Sequence, residues 1–403
     1  MHSLAARLWI APDMFTTEGA SVHLVDNTDR FTELCNQWRS NSVLAIDTEF
    51  VRTNTFYPKT GLIQIADASN CYLIDPLEID DWTGFKSLLE DPDVQFVIHS
   101  CSEDLNLLQT SLECVPRKLF DTQIAAAFLG LGFSLSYQAL VNQILGKELD
   151  KGETRSNWLL RPLRDTQLLY AANDVCHLLE LQSILSDQLS RAGRSAWFED
   201  ECAAVLGMTL QIEDAGNWES QYIGVSNAWK LSGQGLIYLQ NLCHWREVTA
   251  RKRDKPRSWI ARDADLLSIA KQLPDKGTLS IEALRSIKLT DSRLLGRYAS
   301  QLLAVLSNDE EEFAAIDRSQ LNVPFKSAMR SNLKACQKCV AQLAEELQLA
   351  PELLARKKLL QDLIREFDRS GKLIFSGEMS GWRQQILEPA FTQILLPQQP
   401  STD

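Results

Sequence analysis

The chain has 403 residues, 45% apolar and 23% charged, an ordinary globular composition with length enough for two or three domains. No apolar run approaches the roughly 20 residues that a membrane-spanning helix needs, so no membrane association is expected. The net charge of -12 speaks against a nucleic-acid partner until its distribution is read: from Ser226 to Leu306 there are 14 Lys and Arg against 7 Asp and Glu, and elsewhere 27 against 46.

The first twenty residues, MHSLAARLWIAPDMFTTEGA, lack a basic stretch followed by an adequate apolar core, so no signal peptide is expected. The nine cysteines are scattered and odd in number, which suits reduced thiols in a cytoplasmic protein. From about residue 22, SVHLV reads as a strand and TDRFTELCNQW as a capped helix. SVLAIDTEF, GLIQIAD and CYLID read as strands, WTGFKSLLED as a helix, QFVIHS as a strand and SEDLNLLQT as a helix. KLFDT is a short strand, and QIAAAFLG, SLSYQALVNQIL and the long segment from Arg164 to Leu189 are helical by their apolar period. Adjacent strands followed by a βαβα alternation predict an α/β domain built on a mixed sheet.

Beyond about residue 190 the strand signal fades. GQGLIYLQNLCHWREVTARKR, ARDADLLSIAKQL and SIEALRSI read as helices, and an acidic, linker-like LSNDEEEF follows. VAQLAEELQLAPELLARKKLLQDLIREF forms a last helical block, a candidate diverged copy of the first. Cys336 and Cys339 form a CxxC without two further zinc ligands nearby, and read as helix surface.

Several acids stand where acids are unusual. Asp47 and Glu49 are two apart on an apolar strand, so both side chains take one face, where they repel unless a cation intervenes. Asp104 opens the helix after QFVIHS, where it would also favour the helix dipole. Tyr170 and Asp174 are four apart on one helix face, and the nearby Leu169, Leu178 and Leu181 suggest close packing on the sheet. Asp121 before Thr122 reads as a helix N-cap and His99 as a structural hydrogen-bonding histidine. Four carboxylates without a Cys or His set suit Mg²⁺ or Mn²⁺. Two such ions about 4 Å apart serve phosphodiester cleavage.

IDTEF, HSCSEDL and YAANDVCHLLEL resemble, in order, the three exonuclease motifs of the DEDD superfamily, and the tyrosine four residues before the last Asp resembles its tyrosine subclass. RTNTFYPKTGLIQIAD and KGETRSNWLLRPL narrow the resemblance to bacterial ribonuclease D, and HWREVTARKRDKPRSWIARDADLLSIAK resembles an HRDC domain. The resemblance implies a ribonuclease H-like mixed sheet flanked by helices over residues 22–190, an HRDC domain over 226–306 and a second HRDC-like helical domain over 320–391, the last through LQLAPELLARKKLLQDLIREF. It assigns Asp47, Glu49, Asp104 and Asp174 to two divalent cations, and Tyr170 to orienting the attacking water. The implied reaction is 3′-to-5′ hydrolysis of RNA 3′ ends, with tRNA precursors and small structured RNAs as substrates and no obligate protein partner. A DNA exonuclease and a non-catalytic nucleic-acid scaffold are the alternatives.

Phe50 is a candidate stacker on the terminal base, or a core residue. Arg155, Trp158 and Arg161 read equally as substrate contacts or as a solvated loop. In RKRDKPR, Arg251 and Arg253 are expected to follow a phosphate backbone. Trp229, Trp245 and Trp259 are further candidate stackers, with Trp245 expected in the core.

Overall fold

The computed structural model describes residues 13–17, 20–149, 152–153, 156–273, 279–307 and 315–396. A seven-stranded mixed sheet organises the first half, in the order β1-β2-β5-β4-β3-β6-β7. Its strands are β1 (Asp13–Thr17), β2 (Ala20–Val25), β3 (Val43–Val51), β4 (Lys59–Ala66), β5 (Asn70–Ile74), β6 (Gln95–Ile98) and β7 (Lys118–Asp121). The six expected strands are present, and β1 adds an antiparallel edge to β2. β2 and β5, β3 and β6, and β6 and β7 run parallel, while β4 is antiparallel to both β3 and β5. In β3, Leu44, Ala45 and Ile46 are all buried, the continuous apolar signature of a strand covered on both faces.

Helices α1 (Thr28–Trp38), α2 (Thr83–Leu89), α3 (Ser102–Leu112), α4 (Thr122–Phe128) and α5 (Tyr137–Leu145) flank the sheet. Asn27 caps α1 by accepting from the Arg30 N–H, and Phe31, Leu34, Cys35 and Trp38 form its buried stripe. The long helix expected from Arg164 is two, α6 (Asp165–Cys176) and α7 (Leu178–Arg191), parted at the buried His177. The break lets α6 cross β3, β4 and β5 while α7 turns onto β3 and β6. Leu168, Ala171, Ala172 and Val175 make the sheet-facing side of α6, and Leu169 points outward, 43% exposed. The small side chains of Ala171 and Ala172 allow the close approach.

Helix α8 (Ser195–Leu210) had no clear sequence signal and packs against α3, α4 and β7. Two all-helical modules follow. The first contains α9 (Gly233–Arg253), α10 (Arg257–Ile260), α11 (Asp263–Gln272), α12 (Ile281–Ser286) and α13 (Leu294–Ser307), around a separate core that includes Leu236, Leu239, Leu266 and Leu302. The second contains α14 (Ser327–Leu347), α15 (Pro351–Leu354), α16 (Lys357–Ser370) and α17 (Trp382–Leu395).

The two modules begin alike. α9 and α14 are each 21 residues long and end in a left-handed residue, Asp254 (φ 47°) and Gln348 (φ 53°). A four-residue helix follows in each, then an extended Ala261 or Ala355 and an Arg262 or Arg356 that opens the next helix. Most of the acidic stretch LSNDEEEF lies outside the described residues. Cys336 on α14 is buried rather than on the helix surface, and Cys339 is half-buried.

The second module shares its core with the sheet domain. Trp382 meets Phe128 edge-on at 5.0 Å and stacks on Trp197 at 5.6 Å, while Arg383 makes a forked ion pair with Glu201 at 2.5 and 2.7 Å. No helix among the described residues is long and apolar enough to cross a membrane.

Candidate active site

β3 pairs with β6 from Val43 to Ala45 and then runs on without it, so Asp47, Thr48 and Glu49 present an unpaired edge towards the start of α3. Across β4, Asp47 stands opposite Gln64 and Glu49 opposite Leu62, and the register slips at the next residue. Gly61 is left over at that bulge, and a Cβ on it would lie 2.5 Å from the Trp158 Cβ. The strand is thus clamped beside its two acids.

The turn into α3 is held by Asp121, whose carboxylate accepts from the N–H groups of Ser100 (3.1 Å), Cys101 (2.8 Å), Gln123 (2.7 Å) and Ile124 (3.2 Å). Asp121 therefore caps α4, as expected, and also fixes the segment that delivers Asp104. Both nitrogens of His99 are engaged, Nδ1 with the Thr122 hydroxyl at 2.9 Å and Nε2 with the Leu135 carbonyl at 3.0 Å. Burial holds its pKa below the ordinary value, and the neutral ring is structural. Asp104 is 7% exposed and accepts a 2.5 Å hydrogen bond from Thr48 Oγ1.

α6 brings Tyr170 and Asp174 over β3. Carboxylate oxygens of Asp47, Glu49 and Asp174 lie within 4.8 Å of one another, and Asp104 completes the wall beside them. The cleft measures about 230 Å³ and is also lined by Thr48, Phe50, His99, Glu103, Tyr137, Gln138 and Tyr170. No Lys or Arg stands among these lining residues.

The electrostatic consequence is severe. Burial, then the charges of Asp104, Asp174 and Glu49, push Asp47 well above the carboxylate range. Burial, with Asp174 and Asp104, raises Glu49 to about 9. Asp174 and Asp104 rise to about 7, chiefly by burial, against opposing hydrogen bonds from Tyr170 and Thr48 respectively. Burial and the neighbouring acids also drive Tyr170 far above the ordinary phenol value. Such a cluster fits divalent cations: hard oxygen donors converge, and charge repulsion is the cost that binding relieves.

The profile of a 3′-5′ exonuclease family matches residues 22–190, and that of the HRDC domain matches residues 238–306. Ribonuclease D of Pseudomonas paraeruginosa is 36% identical over 386 residues, covering 95% of this chain and 99% of its own. The chain belongs to the ribonuclease D family. The family member from Escherichia coli is 32% identical over 375 residues, covering 92% of this chain and 98% of its own. The crystal structure of Escherichia coli RNase D, described as an exoribonuclease involved in structured RNA processing, superposes with a TM-score of 0.80 over 93% of this chain and 98% of that one.

Within this ribonuclease D frame the sequence candidates separate. Asp47, Glu49, Asp104, Tyr170 and Asp174 come together, and Phe50 lines the same cleft, half-buried. Arg155 lies outside the described residues. Two neighbours of Arg155 are corrected. Trp158 is 1% exposed, packed near Tyr170 with ring centres 6.3 Å apart, and has no surface for stacking on RNA. Arg161 is spent on Asp75 at 2.5 and 2.6 Å and on the carbonyls of Gly61, Trp158 and Leu160.

Arg251 is likewise corrected. Its guanidinium sits between Phe56 and Trp218, 4.5 and 4.0 Å from the ring centres, and bonds Glu213 and Glu247 at 2.8 Å. Arg253 remains exposed, resting on Tyr298 and donating to its hydroxyl at 2.9 Å. Trp245 is core as expected, Trp229 is half-buried and Trp259 is 54% exposed. Thr48, Glu103, Tyr137 and Gln138 were missed; for Thr48 alone a signal existed, its place between the two acids.

Proposed function

We propose that this chain degrades RNA from the 3′ end, releasing nucleoside 5′-monophosphates one at a time and leaving a free 3′-hydroxyl. The observation that carries the reading is the convergence of Asp47, Glu49 and Asp174, with Asp104 beside them, in a cleft with no Lys or Arg among its lining residues. These carboxylates would hold two divalent cations, Mg²⁺ or Mn²⁺, which supply water activation and charge stabilisation of the leaving 3′-oxygen. Thr48 fixes the Asp104 carboxylate, and Asp121 fixes the turn before it. Burial and the neighbouring acids hold the Tyr170 hydroxyl up, which suits it to orienting the attacking water. Phe50 offers an aromatic face to the terminal base.

tRNA precursors and other small structured RNAs are the substrates that suit two helical modules attached to the nuclease. The constant offset of 94 residues between the two modules, from α9 and α14 to α11 and α16, supports reading the second as a diverged HRDC-like domain. The deciding experiment is digestion of 5′-labelled RNA, with matched DNA and a tRNA precursor alongside, in Mg²⁺, in Mn²⁺ and in chelator. Stepwise shortening of RNA that stops in chelator is expected. Full activity in excess chelator would sink the metal mechanism, and preference for DNA would sink the RNA assignment.

A further inference from the structure

The strand that carries the acid pair does not end freely. Three residues after Glu49 comes Arg52, the first residue of a loop that reaches the first helical module. Arg52 Nε donates to the Phe56 carbonyl at 3.1 Å, closing the loop on itself. Its Nη1 lies 3.7 Å from Glu103 Oε2, and Glu103 lines the acid cleft. The guanidinium therefore stands at the cleft rim, with its side chain 35% exposed.

The module holds the far side of the loop. Asp254, the left-handed residue ending α9, accepts the N–H groups of Phe56 and Tyr57 on one oxygen, at 2.9 and 3.0 Å. Phe56 is buried beneath the guanidinium groups of Arg251 and Arg257. Lys255 Nζ donates to the Asn54 carbonyl at 3.2 Å, and the Tyr57 hydroxyl to Glu213 at 3.1 Å. Residues 54, 56 and 57 are thus tied to groups outside the sheet domain's core, and Arg52 is tied to them.

We propose that Arg52 binds a phosphate of the RNA upstream of the scissile bond, and that the first helical module positions it through this loop. The proposal rests on the exonuclease reading and deepens it. An RNA end entering the cleft meets Asp47, Glu49, Glu103, Asp104 and Asp174, and cations held by the acid cluster would serve the scissile phosphate. The next phosphate needs a cation of the protein's own. Arg52 has one, presented as a planar fork suited to phosphate oxygens. Its present partner is long at 3.7 Å and 63% exposed, a pairing that costs little to exchange.

The test compares two substrates: a short single-stranded RNA, and the p-nitrophenyl ester of a nucleoside 5′-monophosphate, which has no upstream phosphate. Arg52→Gln should lower the RNA-to-ester ratio of kcat/KM about 10-fold, mostly through KM, as expected for losing one charged hydrogen bond. The dependence of log KM on log salt for RNA should shrink by about 0.7, the share of one phosphate contact to a single strand. Arg52→Lys should recover part of both. Asp254→Ala should lower the same ratio, and the milder Lys255→Ala should move it the same way by a smaller factor. A general disturbance of the site lowers both substrates and leaves the ratio standing. An unchanged ratio and salt dependence in Arg52→Gln would overturn the phosphate contact. An unchanged ratio in both module variants would overturn the positioning role. Wild-type protein inert toward both substrates would instead overturn the exonuclease reading itself.

Discussion

Thr48 and Asp104, 56 residues apart in sequence, are joined by a 2.5 Å hydrogen bond that ties the strand of one acid pair to the helix of another acid. Thr48 lies between Asp47 and Glu49, so a shift of α3 would be felt by all three carboxylates. Groups that orient metal ligands are worth about 10- to 100-fold in metal affinity when removed. Thr48→Val keeps the shape and deletes the donor. Titrating activity with Mn²⁺ should show a midpoint raised at least about 10-fold. A superimposable titration would mean that Asp104 needs no such support.

Asp47→Asn separates catalysis from stability. Hydrolysis should fall about 100- to 1,000-fold, the scale for losing an electrostatic stabiliser of the reacting centre. In chelator, however, the variant should melt above the wild type, because Asp47 is the acid on which burial and three neighbouring charges press together. A lower melting temperature in chelator would show that the carboxylate is satisfied without cations.

The same cluster sets a pH dependence. Asp104 and Asp174 at about 7 and Glu49 at about 9 are raised above their unfolded values near 4. Groups raised on folding add stability below their unfolded pKa and lose it as pH climbs through the folded one. Metal-free protein should therefore lose stability from about pH 5 to 9. Mg²⁺ or Mn²⁺ should offset much of that loss and release protons on binding. Calorimetric melts in chelator and in metal would reveal it, and a metal-free melting temperature that rises over this range would contradict it.

Tyr170 should leave no tyrosine signature in the pH profile. Its hydroxyl is held protonated by burial and by Asp174, Glu49 and Asp47. Tyr170→Phe should lower kcat about 10- to 100-fold, less than the loss of a true general base, with the shape of the pH–rate curve retained. An alkaline limb that vanishes in the variant would assign Tyr170 the proton transfer instead.

The acids were legible in the sequence because their signal is local: two apart on a strand, four apart on a helix, one at a helix start. Residues misjudged from the sequence have partners that sequence spacing cannot place. Arg161 answers to Asp75, and Trp158 to the gap left by Gly61. Arg251 answers to Glu213, Trp218 and Phe56. A basic run therefore resembled a phosphate track while its first residue was building an interdomain joint. Helix α8 escaped notice because it touches α3 and α4 as well as β7, which blurs the one-sided stripe on which helix recognition relies. The break at His177 is invisible to periodicity, since α6 and α7 are each regular.

That joint contains a buried charge of the first helical module. Glu247 is fully buried on α9, bonded by Arg251 at 2.8 Å and by Arg257 at 2.6 and 2.8 Å. Burial alone would raise its pKa, but the hydrogen bonds of Arg257 and Arg251 outweigh it and hold Glu247 below the ordinary range. Glu247→Ala leaves the largely buried Arg251 paired to Glu213 alone. Removing one partner of a buried pair costs about 3–5 kcal/mol, and this loss should appear in denaturant unfolding of the full chain. Adding Arg251→Met should recover part of it, because Met can fill the space between Phe56 and Trp218 without an unpaired charge. If the single variant costs under about 1 kcal/mol, water screens the network and the joint is held by the aromatic sandwich instead.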